Sequence, residues 1–209
     1  CSNKVYLTEL LERQEVPAPR TLIVHQGNRE RVLPELGLPC VLKQPDSAFS
    51  RGVVKVSDPE ALDRELGRLL EGSELVIAQE WLPTDFDWRV GILGGKPLYV
   101  CRYYMAHRHW QILKHEAGGG TQFGRVECVP LEGAPRNVVR AALRAARPIG
   151  DGLYGIDVKK VGRRVCVIEV NDNPSIDAGY EDGVLGKELY ARVMRHFLER
   201  IEAGRGRTD

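Results

Sequence analysis

Two stretches near the C-terminus, GIDVKK (Gly155–Lys160) and VIEVNDNPS (Val167–Ser175), decide how this chain is read. The segment between them, Val161–Arg164, is short and polar and contains Gly162, so the pair predicts a two-stranded hairpin. Side chains alternate faces along a strand, so Glu169 and Asn171 point the same way and Asp157 falls opposite or diagonal to Glu169. Two carboxylates and an amide oxygen on one strand face form an all-oxygen donor set suited to Mg²⁺, with the remaining positions left to water and phosphate. A solvated acidic face is the plainer reading. The flanks Val165, Val167, Ile168 and Val170 are apolar, however, and acidic groups on a largely buried sheet are costly unless compensated.

The chain's 209 residues suffice for one large domain or two small lobes. With 30 Lys and Arg against 29 Asp and Glu, the net charge of +1 argues against a dedicated nucleic-acid or membrane surface. The five cysteines are widely spaced with no CxxC pair, and Cys40 and Cys166 sit inside apolar runs as core residues, which fits a reduced, cytoplasmic compartment. No apolar stretch of about 18 residues occurs, and we expect no signal peptide. The first residue is Cys1, which leads us to expect a processed or truncated product with a region upstream.

Along the chain, residues 2–15 read as a helix, with Ser2 as its cap and Val5, Leu7, Leu10 and Leu11 as apolar positions, ended by the prolines of VPAPR. Strands follow at Thr21–His25, Pro39–Gln44 and Val53–Val56, with the small-residue loop DSAFSRG (Asp46–Gly52) between the last two. Ser57–Glu60 opens a helix whose stripe is Leu62, Leu66, Leu69 and Leu70. Leu75–Leu82 is a strand, and a hairpin turns at Gly94-Gly95. His107–Gly124, with its triple glycine, reads largely as a mobile loop. Residues 135–148 form a helix, as do roughly 186–203, where Leu189, Val193, Phe197 and Ile201 make one stripe. The result is a mixed α and β chain with two strand–loop–strand halves, which suggests two lobes and a cleft.

Lys43 lies in a predicted buried strand and precedes a Ser/Gly loop, where phosphate is the natural partner for a buried ammonium group. A snorkelling strand-end lysine is the bland alternative. The loop lacks Walker spacing. Gln79–Leu82 could offer backbone groups to an adenine edge, with an acidic residue just beyond for ribose hydroxyls. His107, His109 and His115 lack the partners and spacing of a zinc site.

The ordered set of NK in the first helix, VLKQPDSAFSRGVVKV (Val41–Val56), AQEWLPTDFDWRVGIL (Ala78–Leu93), GIDVK (Gly155–Lys159) and IEVNDNPS (Ile168–Ser175) resembles the ATP-grasp fold. More narrowly it is similar to RimK-type carboxylate–amine ligases, which include enzymes that add glutamate to a protein C-terminus. The resemblance runs from Lys4 to about Ile201. It implies an α+β chain with two α/β lobes whose antiparallel sheets sandwich ATP, divided into residues 1–82 and 83–209, with an upstream or fused N-terminal domain outside the chain.

In that family two lysines hold the nucleotide phosphates, and they match Lys4 and Lys43. The loop over the phosphates matches Ser47–Gly52, with Ser47, Ser50, Arg51 and Gly52 as its contacts. The adenine hinge matches Gln79, Glu80, Trp81 and Leu82, and the ribose carboxylate matches Asp87, with Asp85 a near neighbour. Two Mg²⁺ ions, replaceable by Mn²⁺, are held by residues matching Asp157, Glu169 and Asn171. Arg102 and Lys114 match positions of positive charge near the γ-phosphate. The implied reaction is ATP-dependent activation of a carboxylate as an acyl-phosphate, followed by attack of an amine. The implied substrates are a small-molecule or peptide carboxylate and amine, and a homo-oligomer is left open. The loop from His107 to Thr121 departs from the acceptor-side pattern of glutamate-adding enzymes, so the substrates stay unnamed. The alternatives are a nucleotide-binding scaffold or regulatory module without ligation, a phosphotransferase acting on a hydroxyl, and a purely structural domain.

Overall fold

Residues 3–46, 52–107, 109–115 and 120–205 are described by a computed structural model, with Lys114, His115 and Arg205 described by backbone alone. The first helix, α1 (Lys4–Arg13), starts where Asn3 accepts a hydrogen bond from the Tyr6 N–H, so Asn3 is the cap and Ser2 lies outside the described residues. A first sheet then forms from β1 (Thr21–Val24), β2 (Cys40–Lys43), β3 (Val53–Val56) and β4 (Val76–Glu80), with α2 (Val32–Leu36) before β2 and α3 (Pro59–Gly72) before β4. Its order is β1-β4-β2-β3, and every neighbouring pair is antiparallel. Asp58 caps α3 and Pro59 occupies its first turn. The predicted stripe Leu62, Leu66, Leu69 and Leu70 is buried against Val56, Val76 and Ala78.

The second sheet contains β5 (Phe86–Leu93), β6 (Lys96–Tyr104), β9 (Val126–Val129), β10 (Leu153–Val161) and β11 (Arg164–Asn171), ordered β11-β10-β5-β6-β9. One face carries α4 (Arg136–Ala146), whose Val138, Ala142 and Ala145 pack with Val90, Ile156 and Val167. The alanines let helix and sheet approach closely. On the other face, part is covered by α5 (Lys187–Arg205) through Leu189 and Val193, and the uncovered part looks toward the first sheet. The strands β5 and β6 meet at Gly91, which has no Cβ because Tyr99 lies across it: a Cβ there would stand 2.2 Å from the Tyr99 ring.

Two expectations are corrected, the loop at residues 107–124 and the stripe of the last helix, and two further elements gave no signal. Val126–Val129 is a strand at the sheet edge, and β7 (Leu113–His115) pairs β8 (Thr121–Phe123) inside the segment read as a loop. All three strands were too short to show periodicity. A 3₁₀ turn and α2 occupy residues 29–36, a stretch that gave no helix signal. In α5 Leu189 and Val193 are buried, whereas Phe197 is 37% and Ile201 54% exposed. Residue 82 lies in the connection between β4 and β5, and α1 packs Leu7 and Leu11 into the core beneath the second sheet.

Gly91→Ala should lower unfolding stability by about 1–3 kcal/mol in urea, the range for overpacking a filled site. It should also displace Tyr99, whose hydroxyl donates to the Ser175 carbonyl just beyond β11.

Candidate functional site

The hairpin is formed as its sequence suggests. Asp157 on β10 lies directly opposite Glu169 on β11, and Gly155 lies opposite Asn171. A bulge between Asp157 and Val158 shifts the register, so that Val167 and Val170 face the α4 core while Ile168, Glu169 and Asn171 line the cleft. Arg89, opposite Asp157 on β5, donates from Nε to Oδ1 at 2.6 Å and from a terminal nitrogen to Oδ2 at 2.7 Å. Burial opposes the Arg89 charge, but Asp157 more than offsets this and holds the guanidinium firmly protonated. Asn171 spends its NH₂ on the Gly155 carbonyl and Asp157, which turns its amide oxygen the other way.

Facing this hairpin is a cleft of about 370 Å³, lined from the first sheet by Val41, Lys43, Val53 and Gln79–Leu82 and from the second by Asp87, Arg89, Lys159 and the hairpin. A neighbouring cavity of about 440 Å³ under α1 shares Lys4, Lys43, Gln79 and Ile168 with it. Lys4 reaches Glu169 at 3.7 Å. The Lys43 ammonium donates to Gln79 Oε1 at 2.7 Å, and the Gln79 amide donates to Thr21 at 3.0 Å, which aims Lys43 at the cleft. Desolvation lowers the Lys43 pKa from 10.5 to about 8, against the attraction of Glu169 and with help from Lys4 and Lys159. An ammonium under that pressure gains from an anionic ligand.

Glu80 closes the end of β4. It accepts from the Arg20 backbone N–H at 2.6 Å, from Arg20 Nε at 3.3 Å and from the two terminal nitrogens of Arg164 on β11. Burial works against its charge, yet Arg164 and Arg20 hold its carboxyl below the usual range. Its side chain therefore ties the two sheets together, and only backbone is left for a ligand edge. Trp81 and Leu82 follow it along the cleft wall, with Lys55 4.2 Å above the Trp81 ring and Trp110 edge-on at 5.3 Å.

Of the two ribose candidates, Asp87 lines the cleft and Asp85 is exposed outside it. Asp87 accepts from Lys159 at 2.5 Å and Thr84 at 3.0 Å; desolvation pushes its carboxyl up while Lys159 opposes. Arg102 is a correction. It pairs with Trp88, so it shares the face that turns away from the cleft, and its guanidinium rests beside Trp88, Phe86 and Glu127. Strand alternation gives the adjacent cleft face to Arg89 and Tyr103 instead. Lys114 sits on β7 opposite Gln122, and its side chain lies outside the described atoms. Ser47, Ser50 and Arg51 lie outside the described residues, whereas Gly52 adopts φ +66 and its carbonyl accepts from the Gln44 N–H.

Sequence reasoning missed Arg89, Lys159 and Tyr103. The signal for Arg89 and Lys159 was available: both lie two residues from a selected carboxylate, Asp87 and Asp157 respectively, and so share its face. Tyr103 carries no such signal, since its place over Arg89, 4.5 Å from ring centre to guanidinium, depends on the β5–β6 register. Among the described residues no three His, Cys, Asp or Glu gather as a closed metal cage. The hairpin's two carboxylates and amide oxygen are a sparser set. It fits a hard cation that keeps water and phosphate ligands, because Glu169 is 39% exposed at its side chain and Asp157 retains lone pairs beyond those given to Arg89.

The family described as ATP-grasp domain matches residues 1–176. The chain belongs to the ATP-grasp family. It is 25% identical over 210 residues to a probable alpha-L-glutamate ligase of Syntrophotalea carbinolica, an alignment covering 99% of this chain and 66% of that protein. It is 26% identical to a D-alanine–D-alanine ligase of Alkalilimnicola ehrlichii, covering 95% of this chain and again 66% of the relative. The chain therefore spans just under two thirds of the length of these curated relatives. The crystal structure of a D-alanine–D-alanine ligase from Bacillus anthracis superposes with a TM-score of 0.75 at 17% identity, covering 98% of this chain and 69% of that one, which shows a shared ATP-grasp fold. The expected α+β architecture with antiparallel sheets stands.

Lys43 supplies a pH test. Its proton is disfavoured in the fold, so the unfolded chain holds more protons between about pH 8 and 10.5, and this residue's contribution to stability rises with pH across that window. Lys43→Met should raise stability at pH 7 by about 1–3 kcal/mol, abolish that rise in denaturant titrations, and weaken nucleotide binding.

Proposed function

We propose that this chain is the nucleotide-binding and phosphoryl-transfer part of an ATP- and Mg²⁺-dependent carboxylate–amine ligase of RimK-like type. The observation that carries the reading is the juxtaposition of Lys4 and Lys43 with the Asp157–Glu169–Asn171 face in one cleft. Both curated relatives are named as ligases that would join a carboxylate to an amine, which supports the same reaction class here.

In this reading Lys4 and Lys43 bind the nucleotide phosphates, and the backbone of Glu80–Leu82 takes the adenine edge, with Ile168 against the base. Asp87 and the Lys159 beside it receive the ribose. Asp157, Glu169 and Asn171 would hold Mg²⁺, which supplies charge neutralisation at the transferring phosphoryl group and order at the attacking carboxylate. Arg89 fixes Asp157 in the ligand geometry and adds positive charge at the floor of the cleft. Phosphoryl transfer is dominated by positioning and electrostatic stabilisation, and these side chains provide both without moving a proton. The acyl-phosphate so formed needs protection from water, and β7 and β8, at the open edge of the cleft through Leu113 and Phe123, are placed to cover it. A cytoplasmic location, a small-molecule or peptide carboxylate and amine as substrates, and a fused or partner N-terminal domain belong to this proposal.

The test is ADP release by the full-length protein with Mg²⁺ against pools of amino acids and short peptides, with mass spectrometry for the product. Release that requires both a carboxylate and an amine, with an amide detected, is expected. Glu169→Gln should lower turnover by about a thousandfold or more, as losing a group that stabilises transition-state charge does, with its circular dichroism unchanged. Wild-type turnover in that variant would remove the metal assignment, and ADP release without amide would remove the ligase.

A further inference from the structure

Cys101 and Cys128 stand directly opposite one another on β6 and the edge strand β9, with their sulfurs 2.8 Å apart. Antiparallel partners have Cα atoms about 4.5–5.5 Å apart, inside the 4.4–6.8 Å span that a disulfide bridges without backbone movement. Both are free thiols. Cys101 is fully buried, whereas Cys128 is partly exposed at the sheet edge. The Cys128 sulfur also meets the Tyr180 and Glu181 carbonyls at 3.0 and 3.1 Å and the backbone N–H groups of Gly183 and Val184. Gly183 permits that approach, since a Cβ there would lie 3.1 Å from the Cys128 Cβ. The hydrogen bond from Cys101, the largest influence, and the two N–H groups hold the Cys128 thiol below its ordinary range against desolvation. Cys101 is pushed up by the same contact and by burial. One thiol thus belongs to a partly exposed residue at the sheet edge and is activated, and the other is buried immediately beside it, the arrangement of an attacking and a resolving cysteine.

We infer that Cys101 and Cys128 form a peroxide-reactive dithiol that closes to a reversible disulfide across β6 and β9. The Cys128 thiolate attacks one oxygen of hydrogen peroxide; the O–O bond breaks, and the departing hydroxide takes a proton to become water, leaving a sulfenic acid. The Cys101 sulfur then attacks the Cys128 sulfur, the S–O bond breaks, and the oxygen leaves as water with the Cys101 proton. Two thiols lose two electrons, one peroxide gains them, and two waters result. The site is separate from the nucleotide cleft but mechanically close to it. Cys101 lies opposite Arg89, which clamps Asp157, and Glu181, whose carbonyl touches Cys128, receives the Tyr103 hydroxyl and the Asp177 N–H on its carboxylate. Closing the disulfide takes the Cys128 proton away from the Tyr180 and Glu181 carbonyls and so loosens residues 177–184. The inference requires nothing of the ligase reading.

The test uses the intact protein. It is treated with hydrogen peroxide, alkylated under denaturing conditions and mapped by mass spectrometry, with and without a thiol reductant. Two of the five thiols should disappear into one Cys101–Cys128 linkage, and reductant should restore them, while Cys40 and Cys166 label fully throughout. In Cys101→Ser a Cys128 sulfenic acid should persist long enough for dimedone to trap it. Full labelling of both cysteines after peroxide, or conversion of Cys128 to sulfinic acid with Cys101 unlinked, would overturn the inference. Because the wild-type map decides the question alone, misfolding of the variant does not protect it.

Discussion

Asp157 is 7% exposed in the floor of a cleft, and an ionised carboxylate in such a place costs several kcal/mol unless it is paired and hydrogen-bonded. Arg89 meets that demand with a two-point contact, and much of the architecture is arranged so that it can. The strand β5 must lie beside β10 with Arg89 in register with Asp157. Trp88, Val90 and Ile156 must turn the opposite way into the α4 core, where they anchor both strands. With Asp157 satisfied from behind, Glu169, ion-paired to Lys4, and the Asn171 amide oxygen stand at the front of the hairpin. Breaking the pair by removing Arg89 would leave a buried charge uncompensated, a change in the range of about 3–5 kcal/mol.

The second sheet brings Arg89 and Lys159 to the cleft beside its carboxylates, paired with Asp157 and Asp87 respectively. Lys43 comes from the first sheet, and the carboxylates Asp87, Asp157 and Glu169 from the second, with Lys4 on α1 reaching across to Glu169. Glu80 on β4 is gripped by Arg164 on β11, so an ion pair ties the two sheets. The α1 helix strengthens the same point, since Lys4 is carried on an element whose apolar side belongs to the second core.

What the sequence made legible follows from how local each signal was. The metal-type hairpin, the Leu-rich α3 and the alanine-rich α4 are specified within a dozen or so residues, and all three appear where the periodicities place them. Lys43, singled out as a charged group inside an apolar strand, and Asp87, given by the family resemblance, both line the cleft. Arg102 went wrong for the opposite reason: its face depends on pairing with Trp88, and a one-residue step along a strand reverses the side on which a residue stands. The strands β7 to β9 were hidden because three- and four-residue strands are held by their partners rather than by composition. Cys101 and Cys128, 27 positions apart, could be joined only by the β6–β9 register.

The central claim is that the hairpin and the facing lysines form a single site for a metal-bound nucleotide triphosphate. Calorimetric affinity for a non-hydrolysable ATP analogue, with and without Mg²⁺, addresses it most directly in the wild type and in Asn171→Leu. Mg²⁺ should tighten binding by about tenfold or more in the wild type, equivalent to about 1.4 kcal/mol. The variant should lose that gain while keeping its metal-free affinity through Lys4 and Lys43. Equal affinity with and without Mg²⁺ in the wild type, or an undiminished Mg²⁺ effect in the variant, would contradict the account.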